Sequence, residues 1–536
     1  MVCCDCHAEK TTRARLRREK SQKNNPIHGT AIYKDLVEDR STSSSPAQHL
    51  IAAANSLATA GHPRHATEIF DAARRLASEV GDRDSEAEAL ESLARQAWAN
   101  ADTPQCLEYA QQLLALPLEN TSVWRIHGFL RLARALTALG RPREALETLR
   151  EAAKVCDYTR FGSLATYIEV RAYTEHALRM KTACLRDFQL ATDMAETLEE
   201  GWPRVFALIN YAVAAIQLGE SDLGCKIHQA AIEAALRFGG WPIGYARLSL
   251  AQGLLLMGQP ARARDIVSAI SEDELEHPSV GMKYVWISAI LTSMLPCNFT
   301  HRVNIEELFE DALRSEEPSR IAPMAAAFHW QCLEQGKKSE AQTTLTRTLE
   351  KLRIPNNAEW LTIAVIRFGT RDHLVSLSDI WSELLEDDLA TAHHAMLQSR
   401  VAGLDQEQSA AAAFAGRAEA IYREARLKYF EAAAMELGGR LQEARKAYHA
   451  LGAVRDARRV HSNRSNPEIT MHLTRRQQEV IGLLLRGLAV PEVAASLTIS
   501  PRTVEHHLSM VMQNLGIARR SDLRSDPRLV HLTFRP

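Results

Sequence analysis

The hydrophobic positions of the chain recur with a helical period over long stretches. Residues 140–155 show the pattern clearly, because Ala145, Leu149, Ala152 and Ala153 fall on one side of a helix. Alanines at such positions let two helices approach closely, as a stacked helical hairpin requires. The pattern predicts an all-α protein built largely from pairs of short helices.

Short breaks interrupt these helices at a nearly constant interval. The breaks fall at residues 60–63, 101–104, 139–142, 179–181, 218–220, 257–259 and 335–337. Their glycines are separated by one or two multiples of 39–40 residues: Gly61, Gly140, Gly219, Gly258 and Gly336. A fixed period of this length is typical of a stacked repeat array, and glycine can take the left-handed conformation that ends a helix. We therefore predict a TPR-like α-solenoid of helical hairpins, with a right-handed superhelical course and a long concave face.

Changes in composition divide the chain into five segments. A last hairpin, at residues 432–451, is out of phase with the earlier repeats, and the polar stretch that follows contains Pro467. The predicted segments are a disordered basic and polar N-terminal segment (1–46), the helical-repeat sensor or interaction domain (47–460), a linker (461–470), a small C-terminal domain (471–526) and a tail (527–536).

The C-terminal domain has the pattern of a helix-turn-helix. Amphipathic helices are predicted at 474–486 and 491–497, and Thr498–Ile499 form the turn. Ser500 is a good N-cap, Pro501 suits the first helical position, and the third helix runs to Leu515 before Gly516. Its predicted buried stripe is spaced four, three and four residues apart: Val504, Leu508, Val511 and Leu515.

Charge is distributed unevenly along the chain. The whole chain carries a net charge of −2, whereas the residues from Arg440 to the end include 16 Lys/Arg and only 8 Asp/Glu. Residues 1–40 have an excess of three positive charges, which leaves a net charge of −13 on residues 41–439. An acidic array joined to a basic C-terminal end indicates a different partner for each part.

Several sequence blocks at the C-terminus resemble one family. The blocks stand in order at fixed spacing over about 55 of the 536 residues: 473–481 (LTRRQQEVI), 487–488 (GL), 491–494 (PEVA), 499–508 (ISPRTVEHHL) and 515–517 (LGI). They are similar to the DNA-binding domain of LuxR-type regulators. The array ahead of them, including residues 448–459, resembles the sensor region of the large MalT-type members.

The resemblance implies a bacterial transcription regulator that is cytoplasmic and is associated with the nucleoid when it is bound to double-stranded DNA. It also implies that helix 500–515 lies in the major groove. It implies a dimer on DNA, paired through a helix beginning near Arg519–Arg520, and an unknown protein or small-molecule effector on the array. Base contacts are expected from the exposed side of the third helix, and phosphate contacts from helix N-termini. The expected DNA-binding residues are Thr474, Arg475, Arg476, Ser500, Arg502, Thr503, Val504, Glu505, His506, Ser509 and Gln513.

The chain departs from the family pattern at several points. It contains no GxxxxGK[ST] motif, so the ATPase of the large regulators is not expected. Gln513 and Asn514 stand where the family often has basic residues, and Glu505 where it often has lysine. The second helix begins at Ala489–Val490 without a capping hydroxyl. Fewer phosphate contacts predict a shallower salt dependence of DNA binding.

Other chemistry has little support in the sequence. Cys3, Cys4, Cys6 and His7 form a short cluster of soft-metal ligands, but an incidental N-terminal sequence is the favoured interpretation. The nine cysteines are too few and scattered for a disulfide framework. No catalytic set stands out, so no enzyme, cofactor, metal or membrane partner is expected. His507 lies beside the buried stripe and is interpreted as structural.

Three functional interpretations follow from these patterns. The first is a sequence-specific transcription regulator controlled by a signal on the array. The second is a protein-interaction scaffold whose C-terminal domain binds DNA weakly or not at all, and the altered Glu505, Gln513 and Asn514 favour it. The third is a truncated ATP-dependent regulator. Ser500, Thr503, Val504 and Leu508 match the family and favour the first interpretation.

Overall fold

The structure is a computed structural model, and the part of the chain that it describes is built from helices. The described residues are 45–59, 63–120, 122–155, 161–197, 202–297, 299, 304–462, 475–485 and 488–515. Several predictions lie outside these ranges: the N-terminal segment up to residue 44 with its cysteine cluster, most of the linker, and the tail. All regular elements in the described ranges are helices, which confirms the predicted all-α class.

The array consists of consecutive helix pairs. The first six pairs, with one extra turn of helix (α13), are α1 Pro46–Thr59 with α2 Pro63–Val80, α3 Arg83–Ala99 with α4 Thr103–Ala115, α5 Val123–Ala138 with α6 Pro142–Val155, α7 Phe161–Ala177 with α8 Lys181–Thr197, α9 Trp202–Gln217 with α10 Ser221–Phe238, and α11 Pro242–Leu256 with α12 Pro260–Ser268 and α13 Glu272–Leu275.

Five more pairs and one single helix complete the array. They are α14 Pro278–Met294 with α15 Ile305–Ser315, α16 Pro318–Glu334 with α17 Lys338–Lys351, α18 Glu359–Phe368 with α19 Arg371–Ser382, α20 Asp388–Leu404 with α21 Gln408–Glu424, α22 Lys428–Leu437 with α23 Leu441–Ala450, and the single α24 Val454–Ser462. The predicted helical-hairpin repeat is therefore confirmed in the described residues.

The predicted breaks are the tight turns within hairpins. Gly140, Gly219 and Gly258 have φ of 75°, 89° and 73°, the left-handed conformation that glycine adopts without steric cost. Ala101 and Arg179 adopt the same conformation, at φ 59° and 55°, where the period has no glycine. The turn geometry is thus kept even where the residue is unfavourable for it. The break at 60–62 lies outside the described residues.

One short hairpin explains why the last predicted hairpin is out of phase. The first helices of successive pairs begin at residues 83, 123, 161, 202 and 242, which are 38 to 41 residues apart. The α18–α19 pair has helices of only 10 and 12 residues. The next pair therefore starts at Asp388, 29 residues after Glu359, and shifts the remaining repeats relative to the earlier period.

Polar side chains join the first helices of neighbouring hairpins. Arg131 on α5 donates to Glu91 on α3 at 2.7 Å. Arg134 on α5 pairs with Glu169 on α7, and Asn210 on α9 donates to the other oxygen of Glu169 at 3.1 Å. Glu91 and Glu169 are both more than nine-tenths buried. These pairs fix the spacing of adjacent repeats.

The hairpin turns of the first half of the array contact the second half. Arg320 donates to the carbonyl oxygen of Ala101 at 2.8 Å. A Cβ on Gly140 would lie 3.0 Å from the ring of Pro318. One on Gly258 would lie 3.0 Å from a backbone nitrogen near the C-terminal end of the array. The turns of consecutive repeats therefore pack against repeats about 170–220 residues further along the chain.

A buried ion pair lies at the centre of this contact. The Nε of Arg179, in the α7–α8 turn, donates to Asp387 at 2.8 Å, and the two side chains are 6% and 2% exposed. A second nitrogen of Arg179 bonds the carbonyl oxygen of Gln217. Its guanidinium lies 5.3 Å from the ring centre of Trp381. Both charges are thus removed from water and compensated by each other.

Further polar contacts continue the same interface. Gln217 and Gln252 both donate to the side-chain oxygen of Asn357, at 2.7 and 3.1 Å. The hydroxyl of Ser221 donates to the carbonyl oxygen of Ala425 at 2.8 Å. The two halves of the array therefore contact each other along an interface made of buried and half-buried polar bonds.

The last helix of the array is anchored by charge. Asp456 on α24 pairs with Arg367 at 2.9 Å, and both side chains are less than a tenth exposed. The hydroxyl of Tyr429 donates to the other oxygen of Asp456 at 2.8 Å. Arg459 pairs with Glu436. The end of the array is therefore held firmly just before the segment that leads to the C-terminal helices.

None of the described helices is both long and apolar enough to cross a membrane.

Candidate nucleic-acid interface

Three short helices at the C-terminus pack around a small apolar core. They are α25 Arg475–Leu485, α26 Val490–Leu497 and α27 Pro501–Leu515. The core contains Val480, Val493 and Val504, each fully buried, and the flanking leucines and isoleucine pack against it. The predicted helices are confirmed within the described residues, and α26 begins at Val490, one residue earlier than predicted.

The second helix is capped in a way that the sequence indicated only in part. Ala489 offers no side-chain acceptor, but its backbone N–H donates to the carboxylate of Glu492 at 2.7 Å. This is the half of a capping box in which the third helical residue reaches back to the cap. The carboxylate therefore binds the cap residue directly, besides acting on the helix dipole.

The turn between α26 and α27 is tight. Thr498 has φ 52°, in the left-handed region, and ends α26. The guanidinium of Arg476 pairs with Glu479 at 2.9 Å and also bonds the carbonyl oxygen of Leu497. Arg476 thus ties the start of α25 to the turn and has a structural role that the sequence did not reveal. Its predicted phosphate contact remains a prediction.

The N-terminus of α27 is capped as predicted. The Oγ of Ser500 accepts from the backbone N–H of Thr503 at 3.1 Å, and the two hydroxyl oxygens are 2.7 Å apart. Pro501 occupies the first helical position, where its missing N–H costs nothing. The helix therefore begins with two hydroxyls beside the backbone N–H of Arg502, an arrangement that suits a phosphate oxygen.

One face of α27 is exposed and polar. Arg502, Glu505, His506 and Ser509 are all exposed, and their spacing of three, one and three residues places them on one side of the helix. The structure therefore brings these four predicted residues together on one surface. Glu505 has further interactions within the chain.

The opposite face of α27 is buried. Val504, Leu508 and Val511 are at most 2% exposed, which confirms that part of the predicted stripe. Val504 was also among the expected DNA-binding residues, and this assignment is wrong for a direct contact. Its side chain packs against Val480 and Val493 and faces away from the exposed surface.

Other predicted residues are described only in part. Thr474 lies outside the described residues, and of Arg475 and Gln513 only the helical positions are described. His507, interpreted as structural, is half-buried, and its ring centre lies 6.1 Å from that of His506. Met510 is 38% exposed, next to Ser509. Nothing in the sequence indicates this exposure, because methionine is normally a core residue.

Comparison with known families identifies this segment. Residues 471–525 match the family model described as bacterial regulatory proteins, luxR family. The three described helices lie within that match. The C-terminal segment therefore carries a LuxR-type helix-turn-helix domain, as the sequence resemblance predicted.

Individual relatives match the same segment. The spore germination protein GerE of Bacillus subtilis (strain 168) is 45% identical over 49 residues, which are 9% of this chain and 66% of that protein. The transcriptional regulatory protein UhpA of Escherichia coli (strain K12) is 41% identical over 51 residues, 10% of this chain and 26% of that protein. UhpA of Salmonella typhimurium (strain LT2) is 37% identical over 62 residues, 12% and 29%. The chain thus spans less than two thirds of each relative.

A solved structure is similar to a larger share of the chain. The crystal structure of the P58(IPK) TPR domain covers 74% of this chain and 99% of its own, at 14% identity and a TM-score of 0.21. A score this low does not establish a shared arrangement of helices. The helical-hairpin fold of the array therefore stands on its own helix pairs and turns.

Proposed function

We propose that the chain is a DNA-binding transcription regulator in which α27 enters the major groove. The observation that supports this most is the two-sided character of α27. Val504 and Leu508 are buried against the other two helices, while Arg502, His506 and Ser509 are exposed. A capped helix with one polar exposed face, in a LuxR-type domain, has the form of a recognition helix.

The exposed side chains suit different parts of DNA. Arg502 suits guanine or a phosphate, and Glu505 can accept from a cytosine amine. Ser500 and Thr503, at the helix N-terminus, suit a backbone phosphate together with the N–H of Arg502. Gln513, one turn beyond Ser509, continues the same row and suits adenine or a phosphate.

Pairing of two such domains is the proposed point of control. A single small domain buries little surface on DNA, so it binds weakly alone and gains affinity when two domains occupy neighbouring half-sites. A signal or partner bound to the array is proposed to set this pairing. The anchoring of α24 through Asp456 and Arg367 supports a mechanical link, because α24 ends the array at Ser462. The expected site of action is the bacterial nucleoid.

The function is tested by selection from a randomised duplex pool with the full-length protein at two salt concentrations. The expected result is enrichment of a short site with two half-sites, and affinity that falls with salt because phosphate contacts release counterions. Retained salt-sensitive binding without enrichment would show a non-specific DNA binder.

The scaffold interpretation is an outcome of the same test. Absence of DNA binding even at low salt would overturn the regulator proposal and make the acidic array the functional part. The bonds that Arg476 already makes to Glu479 and Leu497 favour weaker phosphate binding, but not its absence.

A further inference from the structure

Met510 is an apolar residue on the exposed face of α27. Its side chain is 38% exposed, whereas Val504, Leu508 and Val511 on the opposite face are at most 2% exposed. It lies next to exposed Ser509, well inside the helix. An isolated exposed hydrophobic side chain is common on protein surfaces. What distinguishes Met510 is therefore its position on α27.

The exposed side chains of α27 form two rows along the helix. Residues four apart in sequence lie about one turn apart on the same face. One row consists of Arg502, His506 and Met510, and the other contains Glu505 and Ser509; all five residues are exposed. Met510 thus continues the row of two residues that are expected to contact DNA.

The array has an exposed methionine in a different setting. Met180 is 44% exposed and follows the α7–α8 turn, where its backbone N–H donates to the carbonyl oxygen of Glu175 at 2.9 Å. The proposed DNA-binding surface does not include this position. Met180 therefore offers a matched comparison for Met510, because the two have the same chemistry and similar exposure in different regions.

Helix geometry sets the distance between the two ends of the first row. Eight residues separate Arg502 from Met510, which corresponds to about 12 Å along the helix axis at about 1.5 Å per residue. Successive base pairs of DNA are about 3.4 Å apart. If α27 lies along the major groove with Arg502 at one base, Met510 reaches a base edge about three to four base pairs away.

The major groove offers one apolar group to such a side chain. Thymine presents its C5-methyl group there, while the other bases present hydrogen-bond donors and acceptors. The thioether of methionine donates no hydrogen bond, accepts only weakly and carries no charge, so it suits neither a base amine nor a phosphate. Its unbranched chain adapts to irregular apolar surfaces. Contact with the methyl group would remove apolar surface of both partners from water.

We propose that Met510 reads the methyl group of a thymine in the major groove. The contact gives each half-site a preference for thymine at about three to four base pairs from the base pair that Arg502 contacts. This inference rests on the proposed function, because it requires α27 to lie in the major groove.

The test uses the full-length protein and the duplex that the native chain enriches. Each thymine is replaced in turn by deoxyuridine, which lacks the C5-methyl group and keeps the Watson–Crick pairing. One replacement in each half-site is expected to weaken binding by about fourfold, the effect of losing roughly one buried methyl group. Its distance from the base pair whose preference Arg502→Ala relaxes should be about three to four base pairs.

Variants of Met510 show whether this methyl effect depends on its side chain. Met510→Ala should fold normally, because the side chain is exposed and alanine favours a helix. It should bind the thymine duplex and the deoxyuridine duplex with equal affinity. Met510→Leu keeps an apolar side chain and should retain the methyl effect. Met180→Ala, the matched control, should behave like the native chain with both duplexes.

The outcomes separate this inference from the proposed function. An equal methyl effect in the native chain and in Met510→Ala would refute the contact. An enriched half-site without thymine, or a native chain that is insensitive to every replacement, would refute it as well. In each of these cases the native chain still binds DNA, so the proposed function stands. Absence of DNA binding by the native chain at low salt would overturn both.

Discussion

The array and the C-terminal domain are stabilised in different ways. In the array, buried charges such as Arg179 and Asp387 join hairpins that are about 200 residues apart in sequence. In the described part of the C-terminal domain, the contacts that hold the three helices together are mainly apolar. They join residues that are close in sequence, such as Val480, Val493 and Val504. The two regions should therefore respond differently to mutation and to pH.

The difference indicates a division of labour. A buried ion pair adds little net stability but strongly penalises arrangements that separate its charges. The buried charges therefore hold the array in one arrangement, because other arrangements would separate each charge from its partner. The C-terminal domain needs only to present α27, for which a small apolar core is sufficient.

The largest expected effect comes from breaking the central ion pair. Arg179→Ala leaves Asp387 buried without its partner, which should lower the free energy of unfolding of the array by about 3–5 kcal/mol. Denaturant unfolding followed by circular dichroism measures this change.

The matched control is Arg426→Ala. Arg426 also joins the two halves of the array, through Asp222 at 2.6 Å, but both side chains are largely exposed. Its removal should cost less than about 1 kcal/mol. Equal losses in the two variants would contradict the account of a buried closing contact.

A second expected effect is confined to the C-terminal domain. Leu508 is 2% exposed and faces its core. Leu508→Ala should destabilise this domain by about 2–5 kcal/mol through lost burial and the cavity left behind. DNA binding should be strongly reduced while the thermal transition of the array is unchanged. A matching shift of the array transition would show that the two regions unfold together.

The array should lose stability in mild acid. Burial lowers the pKa of both His176 and His228 to about 4, from an ordinary value of 6.5. The unfolded chain therefore binds protons between pH 6.5 and 4 that the folded array does not. Stability is full above pH 6.5 and falls as pH drops through this window, by about 1.4 kcal/mol per histidine per pH unit.

Thermal unfolding of the array at pH 7 and pH 5 measures this loss. His228→Gln removes one of the two groups, so the variant should show a shallower decline than the native chain, whatever its stability at pH 7. An unchanged slope would mean that His228 does not titrate as described.

The smallest expected effect concerns the cap of α27. Ser500→Ala removes the acceptor for the N–H of Thr503 and should cost about 1 kcal/mol of domain stability. The C-terminal thermal transition measures this change. Ser500→Asp retains an acceptor, so it should restore that stability while weakening DNA affinity through repulsion of phosphate. A lower thermal stability of the domain in Ser500→Asp than in Ser500→Ala would argue against Ser500 as the N-cap of α27.

Local features of this protein were predictable from its sequence, and long-range ones were not. The hairpin turns at Gly140, Gly219 and Gly258 and the cap at Ser500 follow from the conformational preferences of single residues and their neighbours. The closure of the array depends on pairs such as Arg179 with Asp387. Nothing in the period of a repeat indicates which distant charges meet.

The candidate interface shows the same limit. Arg502, Glu505, His506 and Ser509 were placed on one exposed face correctly, because a helical period fixes their relation. The second role of Arg476 was not predictable, since its bond to the carbonyl of Leu497 depends on how α25 crosses the turn.

The most direct test of the central claim is the affinity of Arg502→Ala for the duplex enriched by the native chain. Arg502 is exposed on α27, so the substitution should leave the thermal stability of both regions unchanged. The account predicts a loss of about 1–3 kcal/mol in binding free energy with relaxed preference at one base pair, because a base-reading arginine is removed. Full affinity and unchanged preference would contradict the placement of α27 in the major groove.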